Sequence, residues 1–465
     1  MLRMNEYDLA IIGWGAAGFA AAIKASELTN NEMKIALIGH GNLGGTCVNV
    51  GCVPSKYLIE ASKVYKNLKN PLYAGISGDG SLNFQEFMES LRNFVSDERT
   101  IKYENVIKNF KNVDLINGSA YFKNNNTVYV NDTEIRATNF IIATGSRPLI
   151  PDIMGLNNNY YTSDNIWTIK DLPEKIAILG SGEVAIELAY AFSSFGSEVH
   201  IFNRSNRILK NFDDDITSEL IKSLKENHIN FHLGSKIFKI NDSGSGETSI
   251  QTEDGIYKGF SHILVATGRI PNIDSLNLDK AGIMYKNGII VDNHLKTTND
   301  IVYAAGDCVD QPIKLETLAG KQGVTAVNNI LGGNESINLH EVPWAVFCEP
   351  NVASIGYTEK ELRDKNIKYR TRIIGLKNVV KANILKNNSG LAKIIADDEN
   401  KILGIHVLAP NAAEFIIEGV YIIKNKLTYN DLINSMHIFP TVSESIKICG
   451  QSFIRDVSKM SCCMD

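Results

Sequence analysis

The strongest constraint on how this chain can fold is one arrangement that occurs in it twice. Residues 8–18 read DLAIIGWGAAG, an apolar strand running into Gly13, Gly15 and Gly18. An Ala-rich helical stretch (Phe19 to Leu28) and a second strand (Lys34 to Ile38) follow. Residues 175–185 read KIAILGSGEVA, a strand running into Gly180, Gly182 and Ala185, then a helical run to Phe195 and a strand from Glu198 to Phe202. A glycine turn between strand and helix lets the backbone approach a pyrophosphate, whose charge meets the free N–H groups of the helix start. One such turn is weak evidence. Two, each in a full strand–turn–helix–strand unit, predict two nucleotide sites. Gly13, Gly15, Ala16, Ala17 and Gly18 would line the first, and Gly180, Gly182, Glu183 and Val184 the second.

A further echo supports the duplication. FIIATGSRP (140–148) and ILVATGRIP (263–271) are both apolar strands ending in Ala-Thr-Gly, which puts Ala143, Thr144, Gly145 and Gly268 at the nucleotide ends of two sheets. Pro148 and Pro271 then mark crossovers between domains. Phe84, Phe87, Met88, Leu91 and Val95 keep the spacing of an amphipathic helix, and residues 121–130, broken by Asn124, Asn125 and Asn126, read as a hairpin. From about His340 strand runs mix with the helical stretch Ala412 to Asn425. The fold class predicted is α/β: two Rossmann-like nucleotide-binding domains plus a C-terminal α+β domain. The boundaries expected are 1–149 and 271–337 for the two parts of the first domain, 150–270 for the second, and 338–465 for the last.

Composition narrows the class. A net charge of −5 argues against a basic surface for nucleic acid or anionic membrane, and the nine histidines show no metal-ligand spacing. No apolar run approaches the roughly 18 residues of a membrane span. The start of the chain lacks the pattern of a secretory signal. Seven cysteines at low density do not form a secreted disulfide framework, so a cytoplasmic location is expected.

Two of those cysteines carry the chemistry. Residues 44–56 read GGTCVNVGCVPSK, with Cys47 and Cys52 five positions apart. On one continuous helix that spacing gives a rise of about 7.5 Å, beyond the roughly 4.4–6.8 Å between the Cα atoms of a disulfide. The segment must curl, and Gly51 suits the bend. Pro54 is well placed near a helix start, so Cys52 would lie where a helix dipole favours a thiolate.

This segment resembles the active-site segment of the flavin disulfide reductases, the class I pyridine nucleotide-disulfide oxidoreductases. The resemblance extends over essentially the whole chain. YAAGDC (303–308) is similar to the family's second FAD motif, and residues 342–359 to the start of its dimerisation domain. The resemblance implies FAD held by the first unit with Gly45, Thr46, Lys56 and Asp307, a nicotinamide on the second, and a homodimer. It further implies that Cys52 faces the flavin, that Cys47 meets substrate, and that Lys56 and Glu187 form an ion pair beside them.

The second unit ends its strand at Asn203-Arg204, followed by Arg207 and Lys210, where NADH enzymes usually carry a carboxylate. Arg204 with Lys210 would bind a 2′-phosphate, so NADPH is expected over NADH. For the electron acceptor, disulfide-reducing members use a histidine base in an HPT…E segment of the partner subunit. Here the segment reads HIFPTVSE: Phe439 stands at the base position, Glu444 remains, and His437 lies two residues away. Loss of general acid–base help typically costs about 10²–10⁴-fold. The chain ends KMSCCMD, and adjacent Cα atoms, about 3.8 Å apart, are too close for an unstrained disulfide. Cys462 and Cys463 should therefore remain thiols, suited to a soft metal ion.

Phenylalanine for the base and a terminal Cys-Cys pair together resemble the mercuric reductases. That resemblance implies Hg(II), or its small-thiol complexes, collected by Cys462 and Cys463 of one subunit and reduced at Cys47 and Cys52 of the other. Three departures accompany it. Gly39 stands where the family has an acid for the FAD ribose, Thr441 stands for a tyrosine, and no metal-capture domain precedes the first unit. A further family tyrosine is matched by Tyr160 or equally by Tyr161. A dihydrolipoamide dehydrogenase-like or other disulfide reductase using His437, and a non-catalytic metal-sequestering flavoprotein, are the competing readings.

Overall fold

The computed structural model describes residues 4–157, 159–242 and 248–461. Strands β1 (Met4–Ile12), β2 (Ile35–Gly39) and β3 (Val113–Asn117) run parallel, and β1 lies between β2 and β6 (Thr133–Ile142). Both faces of this sheet are covered, so Leu9, Ile11, Ile35 and Leu37 are fully buried and the strands read as continuous apolar runs. β6 pairs twice along one edge. Thr133 to Arg136 meet β5 (Thr127–Val130), which forms a hairpin with β4 (Ala120–Asn124), and Phe140 to Ile142 meet the strand Val302–Ala304. The chain thus leaves the first sheet, builds a second unit, and returns to complete the first.

Between β1 and β3 the chain forms α1 (Ala16–Leu28), α2 (Gly45–Val50), α3 (Cys52–Lys69) and α4 (Phe84–Arg99). α1 packs on the first sheet, whereas α3 and α4 bury their apolar faces with residues of the second unit. α4 begins where Asn83 accepts a hydrogen bond from the Glu86 N–H, and it buries Phe84, Met88, Leu91 and Val95 on one face. The second unit is a parallel sheet of β7 (Lys175–Leu179), β8 (Glu198–Asn203), β9 (Ile229–Leu233) and β10 (His262–Val265), in the order β9-β8-β7-β10, with the short strand Tyr161–Thr162 beyond β10. Helix α5 (Glu183–Phe195) connects β7 to β8. The two crossovers meet, since Ser146–Pro148 pairs antiparallel with Arg269–Pro271.

The C-terminal part is a five-stranded antiparallel sheet of β11 (Trp344–Val346), β12 (Asn351–Gly356), β13 (Arg370–Gly375), β14 (Leu391–Ala396) and β15 (Ile402–Ala409), in the order β11-β12-β15-β14-β13. Ile416, Ile422, Ile446 and Cys449 from the following helical segments close its core. This is the mixed α/β architecture that the strand and helix periodicities predicted. Among the described residues, no helix is long and apolar enough to cross a membrane.

Candidate active site

Backbone contacts assemble the site. A Cβ on Gly13 would lie 2.1 Å from the Ala143 carbonyl oxygen, and one on Gly180 would lie 2.2 Å from that of Ala266. Each glycine turn is therefore pressed onto its own Ala-Thr-Gly strand end, and the sequence echo is an echo of geometry. Gly15 and Gly182 begin α1 and α5 with no side-chain cap, which leaves the first N–H groups of both helices free for an anion. Asp307, at the end of the returning strand, accepts a hydrogen bond of 2.7 Å from Ser146. Uncapped helix starts on close-packed glycine turns, with a carboxylate nearby, fit two dinucleotides.

The cysteine segment is laid directly on the first turn. Gly45 has φ +64°, and a side chain there would meet the Gly15 Cα at 2.7 Å. Asn49 locks the curl by donating to the carbonyls of Leu43 (2.9 Å) and Gly45 (2.8 Å), while the Trp167 indole donates to the Val50 carbonyl at 2.9 Å. α2 stops at Gly51 and α3 starts at Cys52, so the two cysteines sit on separate helices. This is the bend that five-residue spacing required.

Their side chains are hydrogen-bonded to each other as thiols. The Cys52 thiol is held below its ordinary value, chiefly because Cys47 donates to it. Partial desolvation opposes this, and the Lys56 ammonium one turn along α3 reinforces it. Cys47 is correspondingly pushed far up, first as the donor to Cys52 and then by burial. Of the two, Cys52 is the one that gives up its proton more readily.

Lys56 Nζ lies 2.8 and 3.1 Å from the Glu187 carboxylate oxygens, and 4.5 Å from the centre of the Phe347 ring. Burial would lower the lysine, but Glu187 and then the two cysteine sulfurs outweigh it, and Lys56 is raised. Glu187 belongs to α5 and also accepts from the Phe347 N–H at 3.0 Å. One carboxylate therefore joins the cysteine helix, the second nucleotide unit and the C-terminal sheet.

Cys47 opens on a cavity of about 430 Å³ lined in part by Phe19, Val53, Lys102, Tyr103 and Glu316. Tyr103 is carried by a π-helical turn, Thr100–Glu104, and packs edge-on against Phe19 at 4.9 Å; such turns recur at functional sites. Burial, then Cys47, pushes its hydroxyl up to about 12. Sequence reasoning missed Tyr103, Lys102 and Glu316. They carry no motif, and Glu316 is more than 250 residues from the cysteines.

In the second unit the Asn203 amide donates to the carbonyls of Ser205 (2.8 Å) and Arg207 (3.0 Å), which shapes the loop after β8. Arg207 pairs with Asp214 at 2.6 Å, while Arg204 and Lys210 are exposed. Glu183 opens α5, and burial raises its carboxyl.

Other candidates are engaged elsewhere. Tyr160 packs on the second sheet against the cluster of Ala177, Leu179 and Phe260, and Tyr161 stacks on His262. His437 Nε2 donates to the Glu418 carboxylate at 2.9 Å within its own domain, and Glu444 accepts from the Thr441 N–H at 3.0 Å. Phe439 is 51% exposed, between exposed Ile438 and Pro440. Cys308, Cys348 and Cys449 are buried thiols, all raised by desolvation. Cys462 and Cys463 lie outside the described residues.

Comparison with known proteins agrees with this geometry. Residues 7–323 match the family model described as pyridine nucleotide-disulphide oxidoreductase, and residues 342–448 match that family's dimerisation domain. The mercuric reductase of Bacillus cereus is 36% identical over 98% of this chain and 73% of its own. That of Lysinibacillus sphaericus is 36% identical over 100% of this chain and 85% of its own. Among solved structures, a Cu(II) complex of the HOCl-induced flavoprotein disulfide reductase RclA from Escherichia coli superposes with a TM-score of 0.86, at 26% identity, covering 97% of this chain and 100% of that one.

Proposed function

Because the chain belongs to the pyridine nucleotide-disulphide oxidoreductase family, we propose that it is an FAD-dependent mercury(II) reductase working as a homodimer. The observation that carries the reading is the free pair Cys47 and Cys52, with the Cys52 thiol held below its ordinary value, in a chain whose base position is Phe439. FAD, when bound, would supply two-electron redox chemistry between the nicotinamide and the cysteines. The residues to hold it are Gly13, Gly15, Ala16, Ala17, Gly18, Gly45, Thr46 and Asp307, with Ala143 to Gly145 beneath the turn.

The cysteines provide two soft ligands for a soft dication. Cys52, whose thiol is held below its ordinary value, ionises first, and Cys47 gives up its proton as the metal binds. Two electrons convert Hg(II) to Hg(0), which leaves without needing a proton. Phe439 is therefore no handicap, whereas a disulfide acceptor would release a thiolate that needs one. Lys56, fixed by Glu187, keeps positive charge beside the thiolate through the cycle. A panel of Hg(II), Cu(II), lipoamide and glutathione disulfide with NADPH tests the assignment; turnover of lipoamide above that of Hg(II), lost in His437→Ala, would favour the disulfide-reductase reading.

Two finer assignments belong to the same proposal. NADPH is preferred over NADH because Arg204 and Lys210 are exposed after β8 while Arg207 is engaged by Asp214. Arg204→Ala with Lys210→Ala should raise the KM for NADPH by roughly 10-fold or more, about 1.4 kcal/mol, and leave that for NADH within about 2-fold. Equal effects on both would remove the preference. The tail thiols Cys462 and Cys463 collect Hg(II), free or bound to small thiols, for the partner's Cys47 and Cys52. Replacing both by serine should depress turnover at low mercury while NADPH still reduces the flavin; undiminished turnover would sink that role.

A further inference from the structure

A dinucleotide unit of this kind ordinarily carries, about 20 residues after its glycine turn, an acidic side chain for the adenosine ribose. Here the position, at the end of β2, is Gly39. The backbone at Gly39 is not left-handed, so glycine is not needed there for conformation. It is needed for space. A Cβ would lie 2.5 Å from Cδ2, 2.8 Å from Cγ and 2.9 Å from Cε2 of the Trp14 indole, closer than real Cβ contacts permit.

Trp14 is the residue between Gly13 and Gly15, so its ring springs from the nucleotide turn itself. It is 8% exposed and packs in the core cluster that holds Ala17, Leu37 and Ala143. Its indole N–H has no acceptor among the described residues, so packing rather than hydrogen bonding keeps the ring where it is. The tryptophan and the glycine are two halves of one exchange: the ring fills the volume through which an acidic side chain would have to leave the strand.

We propose that Trp14 sets the adenosine-ribose end of the FAD site, its indole excluding an acidic side chain at position 39 and leaving the ribose held without a carboxylate. This rests on the reading of the first glycine turn as the FAD site. Three consequences separate it from plain core packing. Gly39→Glu collides with the ring and weakens FAD binding. Trp14→Gly in the same chain makes room and restores binding. Only that double variant depends strongly on the ribose hydroxyl, because only it has a carboxylate to accept from it.

The test strips FAD from the purified holoprotein and retitrates it with FAD and with the analogue lacking the adenosine 2′-hydroxyl, followed by flavin fluorescence. Circular dichroism of each stripped variant reports folding. Gly39→Glu should bind FAD about 10-fold or more weakly, and Gly39→Glu with Trp14→Gly should recover most of that loss. Loss of the 2′-hydroxyl should cost the wild type less than about 3-fold and the double variant about 10-fold or more, as expected for a hydrogen bond to a charged group. A folded Gly39→Glu of wild-type affinity, or a folded double variant that stays as weak as the single one, would overturn the proposal. So would a wild type that discriminates 10-fold against the analogue, a comparison that needs no variant to fold. Purified protein that carries and rebinds no FAD would overturn the reading of the turn itself, a result distinct from the others.

Discussion

Cys52→Ser is expected to cut Hg(II)-dependent NADPH oxidation by on the order of 10³-fold or more, while anaerobic reduction of the flavin by NADPH persists. The first turn, the second turn and the Lys56–Glu187 pair stay in place in that variant, so only the outlet for electrons is removed. Serine cannot ionise near neutral pH and is a poor ligand for mercury. Retained mercury turnover would show that the metal is reduced elsewhere. Cys47→Ala makes a complementary prediction from the other sulfur. Its thiol is the largest influence holding Cys52 below its ordinary value. Without it, the pH midpoint for alkylation of Cys52 should move upward, since a thiolate that loses its donor binds its proton more tightly. The residual lowering that survives measures Lys56 and the start of α3. An unmoved midpoint would show that Cys47 does not donate.

The second large effect lies far from the cysteines. Lys393, on β14, is 1% exposed, and its ammonium lies 3.0 Å from Asp213, 2.5 Å from Asp215 and 2.8 Å from Glu359. Asp213 and Asp215 belong to the second nucleotide unit, just beyond the loop of Arg204 and Lys210, whereas Lys393 and Glu359 belong to the C-terminal part. Lys393→Met leaves Asp213, itself 5% exposed, without its cation. Breaking a buried pair from one side typically costs about 3–5 kcal/mol, which thermal or urea unfolding would register. A loss within about 0.5 kcal/mol, the range of ordinary surface changes, would contradict it.

Acid–base behaviour of the same residue gives an independent reading. Burial alone would lower Lys393, but the three carboxylates outweigh it and push it up to about 12. A lysine whose value is raised on folding stabilises fully below its unfolded value of about 10.4. That contribution is lost as pH rises through about 12. The stability gap between wild type and Lys393→Met should therefore be flat near neutrality and close on the alkaline side.

Much of this was legible because it is local. The glycine turns, the Ala-Thr-Gly strand ends and the curl between Cys47 and Cys52 are short-range patterns, and the structure brings each to the nucleotide end of its sheet. Glu187 and its partner Lys56 could be named from the likeness to a family, but not the hydrogen bond that Glu187 accepts from the Phe347 N–H. Tyr103 was invisible because a π-helical turn has no dependable sequence signature. Glu444 was legible as a residue and not as a contact: its carboxylate accepts from Thr441. His437 was a weak candidate from spacing alone, and its bond to Glu418 ties it within its own domain.

By itself, the sequence determined the two strand–turn–helix units, the paired cysteines, the phenylalanine at the base position and the adjacency of Cys462 and Cys463, because backbone periodicity, turn chemistry and residue identity act over a few positions. Only the tertiary structure decided what holds the Cys52 thiol below its ordinary value, what cavity Cys47 faces, how Lys393 joins two units, and why position 39 holds glycine. Those outcomes depend on which side chains distant in the chain share one small volume. The Trp14 ring over Gly39, 25 residues away, is the plainest case.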